Sequence, residues 1–156
     1  MEERTLTKAR NAAYRFLTYR PRSRAEIEEK LHDKEFSEAV IAAVLSDLER
    51  LGYVNDLQFA GAWTRSRIRL RGFGRRRIGQ ELKNKGIGRE LIREVFSEVF
   101  SEETEIEIAK RVAEKKLLTM KSLDRETRRR RLAGLLERKG FSFEIIRTVL
   151  RDTDRS

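Results

Sequence analysis

The chain has 156 residues, with 36 Lys and Arg against 26 Asp and Glu, and so a net charge of +10. Charged residues reach 40%, against about 25% in an ordinary soluble domain, yet Leu, Ile, Val and Phe still number 42 of 156, enough for a thin core and an elongated shape. Zero Cys and a single His (His32) exclude disulfides, Cys-ligated zinc, thiol catalysis and His-rich metal sites, and leave little for general acid–base chemistry.

The elements follow in chain order. A first helix runs through Ala12-Ala13-Tyr14-Arg15-Phe16-Leu17 and stops before Pro21, because the residue preceding a proline disfavours helix. Ser23-Arg24-Ala25-Glu26 is a capping box that opens a second helix. Ser37 is an N-cap for a third, whose Val40, Ile41, Val44 and Leu45 form an apolar stripe of helical period. Asp56 is expected to cap a fourth helix carrying Phe59, Ala62, Trp63 and Leu70, broken by Gly72-Phe73-Gly74. Arg65 to Arg71 alternates like a strand, but its helical neighbours and the lack of a partner strand favour helix. A fifth helix opens on Arg75-Arg76-Arg77, and a sixth carries Leu91, Ile92, Val95 and Phe96. Thr104-Glu105-Ile106-Glu107 is a second capping box, leading into Ile108, Val112 and Leu118. The last helix follows Ser142 with Ile145, Ile146, Val149 and Leu150, and the tail from Arg151 to Ser156 is expected to fray.

Three segments align without gaps: Glu28–Leu45, Gly79–Phe96 and Ala133–Leu150. Leu31, Leu82 and Leu136 coincide, as do Lys34, Lys85 and Lys139, then Phe36, Ile87 and Phe141, and later Ile41, Ile92 and Ile146. Each reads as helix, tight turn, helix. Gly86 and Gly140 fit a left-handed helix end, while Glu35 at the matching position predicts a slightly different turn. The expected fold is all-α: three tandem three-helix repeats over residues 1–53, 54–100 and 101–156, elongated in shape.

The charge is segregated. Residues 65–93 hold 11 basic and 2 acidic groups, a net of +9, and residues 94–107 then hold six acids and no base. Solubility needs only mixed charge, so the segment points to an acidic partner, either nucleic acid or an acidic protein surface. On a helical wheel Phe59, Trp63, Ser66 and Leu70 share one face, flanked by Arg65 and Arg69 on one side and Arg67 and Arg71 on the other, with Ile68 outside the stripe. Three arginines at the start of the fifth helix oppose its dipole and suit a phosphate or carboxylate. Trp63 is read as core in preference to a base-stacking platform, and His32 as a surface or packing residue. Arg128-Arg129-Arg130-Arg131 is a tighter basic cluster, offset by neighbouring acids.

Sharper motifs fail on inspection. Gly72-x-Gly74 with Gly79 is not a nucleotide loop, because Arg77 stands where a third Gly belongs and no strand precedes it. No phosphate-binding loop is present either. A major-groove reader is disfavoured, since the second helix of residues 79–96 carries Glu90 and Glu94 where phosphates would lie. A metal-dependent nuclease would need clustered carboxylates, and the basic segment offers only Glu81 and Glu90. No membrane span is expected, because the longest apolar run, Ala39 to Leu45, is seven residues against about 20 required. Met1-Glu2-Glu3-Arg4 lacks the apolar stretch of a secretory signal. A cytoplasmic, cofactor-free monomer without enzymatic activity is the expectation.

Arg20-Pro21-Arg22-Ser23-Arg24-Ala25-Glu26 resembles the opening of the bacterial RecX regulators, as does Leu51-Gly52-Tyr53-Val54-Asn55-Asp56 followed by Phe59-Ala60. The stretch Arg71-Gly72-Phe73-Gly74-Arg75-Arg76-Arg77-Ile78, continuing through Glu81-Leu82-Lys83 to Lys85-Gly86-Ile87, is similar as well. The resemblance covers nearly the whole chain and is strongest from Ala12 to Val95. It implies three tandem three-helix repeats in a curved, elongated arrangement. It also implies binding to the RecA recombinase filament on single-stranded DNA, with suppression of ATP hydrolysis, strand exchange and co-protease activity, in recombination, repair and the SOS response. The expected contact residues for filament and DNA (single-stranded, with duplex as a further candidate) are Arg65, Arg67, Arg69, Arg71, Arg75, Arg76, Arg77, Lys83 and Lys85. The alternative is a free-standing basic nucleic-acid binder with no recombinase target.

Overall fold

The computed structural model describes residues 2–155, and all regular structure among them is helical. The helices are α1 (Glu2–Tyr19), α2 (Arg24–Asp33), α3 (Glu38–Arg50), α4 (Asp56–Arg71), α5 (Arg75–Asn84), α6 (Arg89–Glu102), α7 (Glu105–Leu117), α8 (Arg125–Arg138) and α9 (Phe143–Asp154). They form three successive modules, α1–α3, α4–α6 and α7–α9, and every extensive helix–helix contact lies inside a module. The protein exposes 10443 Å², whereas a compact monomer of its mass would expose about 8,200 Å². The excess is the mark of an elongated array.

Local chemistry sets the helix ends. Ser23 and Thr104 complete capping boxes with Glu26 and Glu107, and the Ser37 and Ser142 hydroxyls accept from the N–H groups of Val40 and Ile145. Asp56 is not the cap of α4. Asn55 accepts from the N–H of Gln58 and caps that helix, while Asp56 is its first helical residue. The stripe assigned to α4 also needs correction: Ile68 is buried and Leu70 is 69% exposed. Four of its five buried residues, Ala60, Gly61, Thr64 and Ile68, share a different helix face from that stripe, and α4 packs on α5 and α6 of its own module. Leu118 is likewise exposed, just past the end of α7. The tail holds its helix to Asp154, because Asp154 pairs with Arg125 and Arg129 and Asp152 with Lys110. Ser156 lies outside the described residues.

Two apolar clusters fill the interior. Ile27, Leu31, Val44, Leu45 and Leu48 centre the first module on its own core. The middle and third modules share one core, continuous from Ile78 and Leu82 through Phe73 and Phe141 to Leu132 and Leu136.

The two joints between modules use one pattern. At the first, the Arg24 N–H donates to Asp56 Oδ1 at 2.8 Å and the Ser23 hydroxyl to the Lys85 carbonyl at 2.6 Å. At the second, the Arg75 N–H donates to Glu105 Oε2 at 3.1 Å and the Gly74 N–H to the Lys139 carbonyl at 2.8 Å. So the start of each module's middle helix rests on the next module's tight turn. A carboxylate at the head of the next module's first helix satisfies an otherwise orphan N–H there.

The joints explain the turn residues. Glu35 has φ 65°, and its N–H and that of Phe36 bond back to His32 and Leu31. The turns at Gly86 and Gly140 bond in the same way, so the first turn is not different, as its glutamate implied, but the same left-handed turn made at a cost. A Cβ on Gly86 would lie 2.2 Å from Ala25 Cβ, and one on Gly140 would lie 2.5 Å from the Arg77 main-chain nitrogen. Glu35 is tolerated because, among the described residues, no helix start of another module docks on its turn. Gly140→Ala should therefore lose at least 2 kcal/mol in urea unfolding, through clash plus backbone strain, while Glu35→Gly should lie between no change and a gain of about 1 kcal/mol. Equal losses at the two positions would contradict this account of the turns.

Candidate functional site

The nine basic residues expected at the interface divide into two groups. Four are occupied within the protein. Arg65 pairs with Glu98 and Glu102 at 3.4 and 3.0 Å, which holds its guanidinium above its ordinary pKa. Arg67 pairs with Glu81 at 3.0 Å and lies 4.5 Å over the Trp63 ring. Arg75 pairs with Glu105 at 2.8 Å and covers Phe100. Lys85 pairs with Glu26 at 3.1 Å. Trp63 is fixed between these groups, stacked on Phe59 and donating its indole N–H to Glu81 at 3.0 Å, which fits the core reading and leaves it no free face for a base. His32 is a surface residue near Glu28.

The other five, Arg69, Arg71, Arg76, Arg77 and Lys83, form no ion pair among the described residues. Arg76 and Lys83 enter a groove of about 360 Å³ between α5 and α6, floored by Gly79, Ile92 and Phe96. Arg89 and Arg93 line its opposite wall, Arg75 stands at its end, and no carboxylate lines it. Arg89 and Arg93 are also without ion pairs among the described residues, so four unpaired cations face one groove.

Charge counting does not single out Arg89 and Arg93, because Glu90, Glu94 and Glu98 offset them along α6. The signal was present: Arg89 and Arg93 are four residues apart, and Arg76, Gln80 and Lys83 are spaced by four and three, so each set occupies one helix face. The groove gathers cations from two facing helices. Guanidinium groups engage phosphate or carboxylate bidentately, and unpaired cations need no internal pair broken first.

Burial and bonding tune two carboxylates at the joints in opposite directions. Burial pushes Glu26 up, but donors from Arg20, the Ser23 N–H and Lys85 outweigh it and hold the carboxyl below its ordinary range. Burial dominates at Glu105 and raises it, partly offset by Arg75. Among the described residues no group of side chains is arranged to hold a metal ion, and no helix is long and apolar enough to cross a membrane.

The fold and groove define a class: an elongated array of three-helix modules with a cationic cleft on its middle unit. Comparison with known proteins gives the family. Residues 9–48, 55–95 and 103–150 match the first, second and third three-helix domains of RecX. A regulatory protein RecX of Streptomyces coelicolor is 40% identical over 92% of this chain and 76% of its own length. One from Bacillus subtilis is 38% identical over 90% of this chain and 53% of its own length. The crystal structure of RecX from Lactobacillus salivarius superposes with a TM-score of 0.86 at 25% identity, covering 99% of both chains. The chain belongs to the RecX family, and the relatives it matches are named regulatory proteins.

The Glu26 hub gives a pH prediction. A carboxyl held low in the folded state adds stability that is complete above its unfolded value, near 4.3, and is lost as pH falls through the lower folded value. Glu26→Gln should cost about 1–3 kcal/mol at pH 7, and the gap to the parent should close below about pH 4. A gap independent of pH in urea titrations would remove Glu26 as a charged hub.

Proposed function

We propose that this protein is a non-enzymatic regulator that binds the RecA filament on single-stranded DNA and restrains its activity in recombination and repair. It contacts the filament through the α5–α6 groove. Membership of a family of regulatory proteins named RecX supports the reading. The observation that carries the choice of surface is the set of four unpaired cations, Arg76, Lys83, Arg89 and Arg93, facing one carboxylate-free groove. Arg69 extends the same basic segment along α4. Arg75 and Arg77 are better read as joint residues that hold the groove in place, since Arg75 pairs with Glu105 and Arg77 donates to the Arg138 carbonyl.

The rival reading, a nucleic-acid binder with no recombinase target, rests on the same groove and differs in dose. A filament regulator acts when it is too scarce to coat the DNA. A simple competitor needs to saturate it and loses affinity steeply with salt, with a log–log slope of about −3 for four phosphate contacts on a single strand. RecA ATP hydrolysis on single-stranded DNA should fall with this protein well below the recombinase concentration. The triple variant Arg76→Glu, Arg89→Glu, Arg93→Glu should require at least tenfold more protein while keeping its helical circular dichroism. Full potency in that variant would exclude the groove, and inhibition only at DNA saturation would favour the competitor.

A further inference from the structure

Where the middle and third modules meet, outside the α5–α6 groove, Lys139 lies within electrostatic reach of three other cations, Arg71, Arg77 and Lys115. Arg71 ends α4, Arg77 lies in the first turn of α5, Lys115 in the last turn of α7, and Lys139 in the α8–α9 turn. The Lys139 ammonium donates to the Arg71 carbonyl at 2.6 Å, and the Arg77 guanidinium to the Arg138 carbonyl at 3.0 Å. Both sit over the ring of buried Phe73, at 5.6 and 4.0 Å from its centroid. Their only acceptors are main-chain carbonyls, and none of the four has a carboxylate partner among the described residues. Elsewhere at the joints cations are paired: Lys85, which matches Lys139 in the repeat, reaches Glu26, and Arg75 reaches Glu105. Lys139 feels the deficit. Burial, then repulsion from Arg77, Arg71 and Lys115, weaken its hold on its proton.

We propose that this cluster is an oxyanion site, that it takes a phosphate group between Arg71, Arg77, Lys115 and Lys139, and that occupancy tightens the joint between the middle and third modules. The phosphate supplies the negative charge that Glu26 supplies at the first joint. Three of the cations come from three different helices and the fourth from a turn of the third module, so one phosphate crosslinks both modules. Two sources share this chemistry, a nucleic-acid strand and free phosphate or pyrophosphate. The inference goes beyond the filament reading and does not need it.

Thermal unfolding of the full chain tests it, with sodium pyrophosphate compared against sodium chloride at equal ionic strength. At about ten times its dissociation constant, a ligand specific to the folded state should raise the melting temperature by roughly 3–5 °C for a chain of this size. The double variant Arg71→Gln, Lys115→Gln removes two side chains that make no hydrogen bond or ion pair among the described residues, so it should fold as the parent does and lose at least half of the shift. Arg89→Gln, Arg93→Gln, in the separate groove, should keep it. A second arm replaces pyrophosphate with a short oligothymidylate. A shift there that also depends on Arg71 and Lys115 assigns the site to strand phosphates, and dependence with pyrophosphate alone assigns it to free phosphate. No excess over chloride, an undiminished shift in the Arg71/Lys115 variant, or a shift lost only in the Arg89/Arg93 variant would overturn the proposal.

Discussion

The joint between modules is the constraint on which the rest of the molecule depends. A helix start leaves N–H groups unpaired, and here the following module supplies an acceptor, Asp56 to α2 and Glu105 to α5. The same helix start presses on a left-handed turn that must be glycine where a module docks on it, Gly86 and Gly140. Helix α5 takes part in both joints. Its first turn bonds to Glu105 and to the turn at Gly140, and the residue at its C-terminal end, Lys85, receives Ser23 at its carbonyl and reaches Glu26 with its ammonium. The basic helix α5 is therefore clamped at both ends, which fixes the groove it shares with α6. The clamp also answers the dipole problem raised by Arg75-Arg76-Arg77, because the Glu105 carboxylate lies at the positive end of α5.

Much of the fold was legible because its signals are local. Capping boxes at Ser23 and Thr104, the N-caps at Ser37 and Ser142 and the apolar stripes of α3, α6 and α9 are each written within a few residues. The failures are all non-local. Asp56 looks like a cap in sequence and is one, but for α2 of the preceding module in place of its own helix. Ile68 is buried and Leu70 exposed because α4 packs on α5 and α6 through the face of Ala60, Thr64 and Ile68, about half a turn from Leu70. Glu35 keeps the turn of its glycine counterparts because, among the described residues, no other module docks on it. The tail stays helical because Lys110, Arg125 and Arg129, far away in sequence, reach its aspartates.

The basic segment shows the same division at the level of the site. Composition located it, but charge counting treats all arginines alike. Whether an arginine is free depends on partners 14 to 37 residues away: Glu81 for Arg67, Glu105 for Arg75, Glu98 and Glu102 for Arg65. Internal pairs turn those residues into structure. They leave Arg76 and Lys83 to join Arg89 and Arg93 in the groove, and Arg71 and Arg77 to join Lys115 and Lys139 at the second joint. The acidic run from Glu94 to Glu107 is thus partly the internal counter-charge of the basic run, and the net charge that remains is concentrated on fewer surfaces than the sequence implied.

The most direct test of the account is amide hydrogen exchange on the full chain, free and bound to RecA filaments on single-stranded DNA. The account predicts slowed exchange through α5 and the first half of α6, around Arg76, Lys83, Arg89 and Arg93, with the first module from α1 to α3 little changed. Protection confined to the first module, with α5 and α6 exchanging as in the free protein, would contradict it.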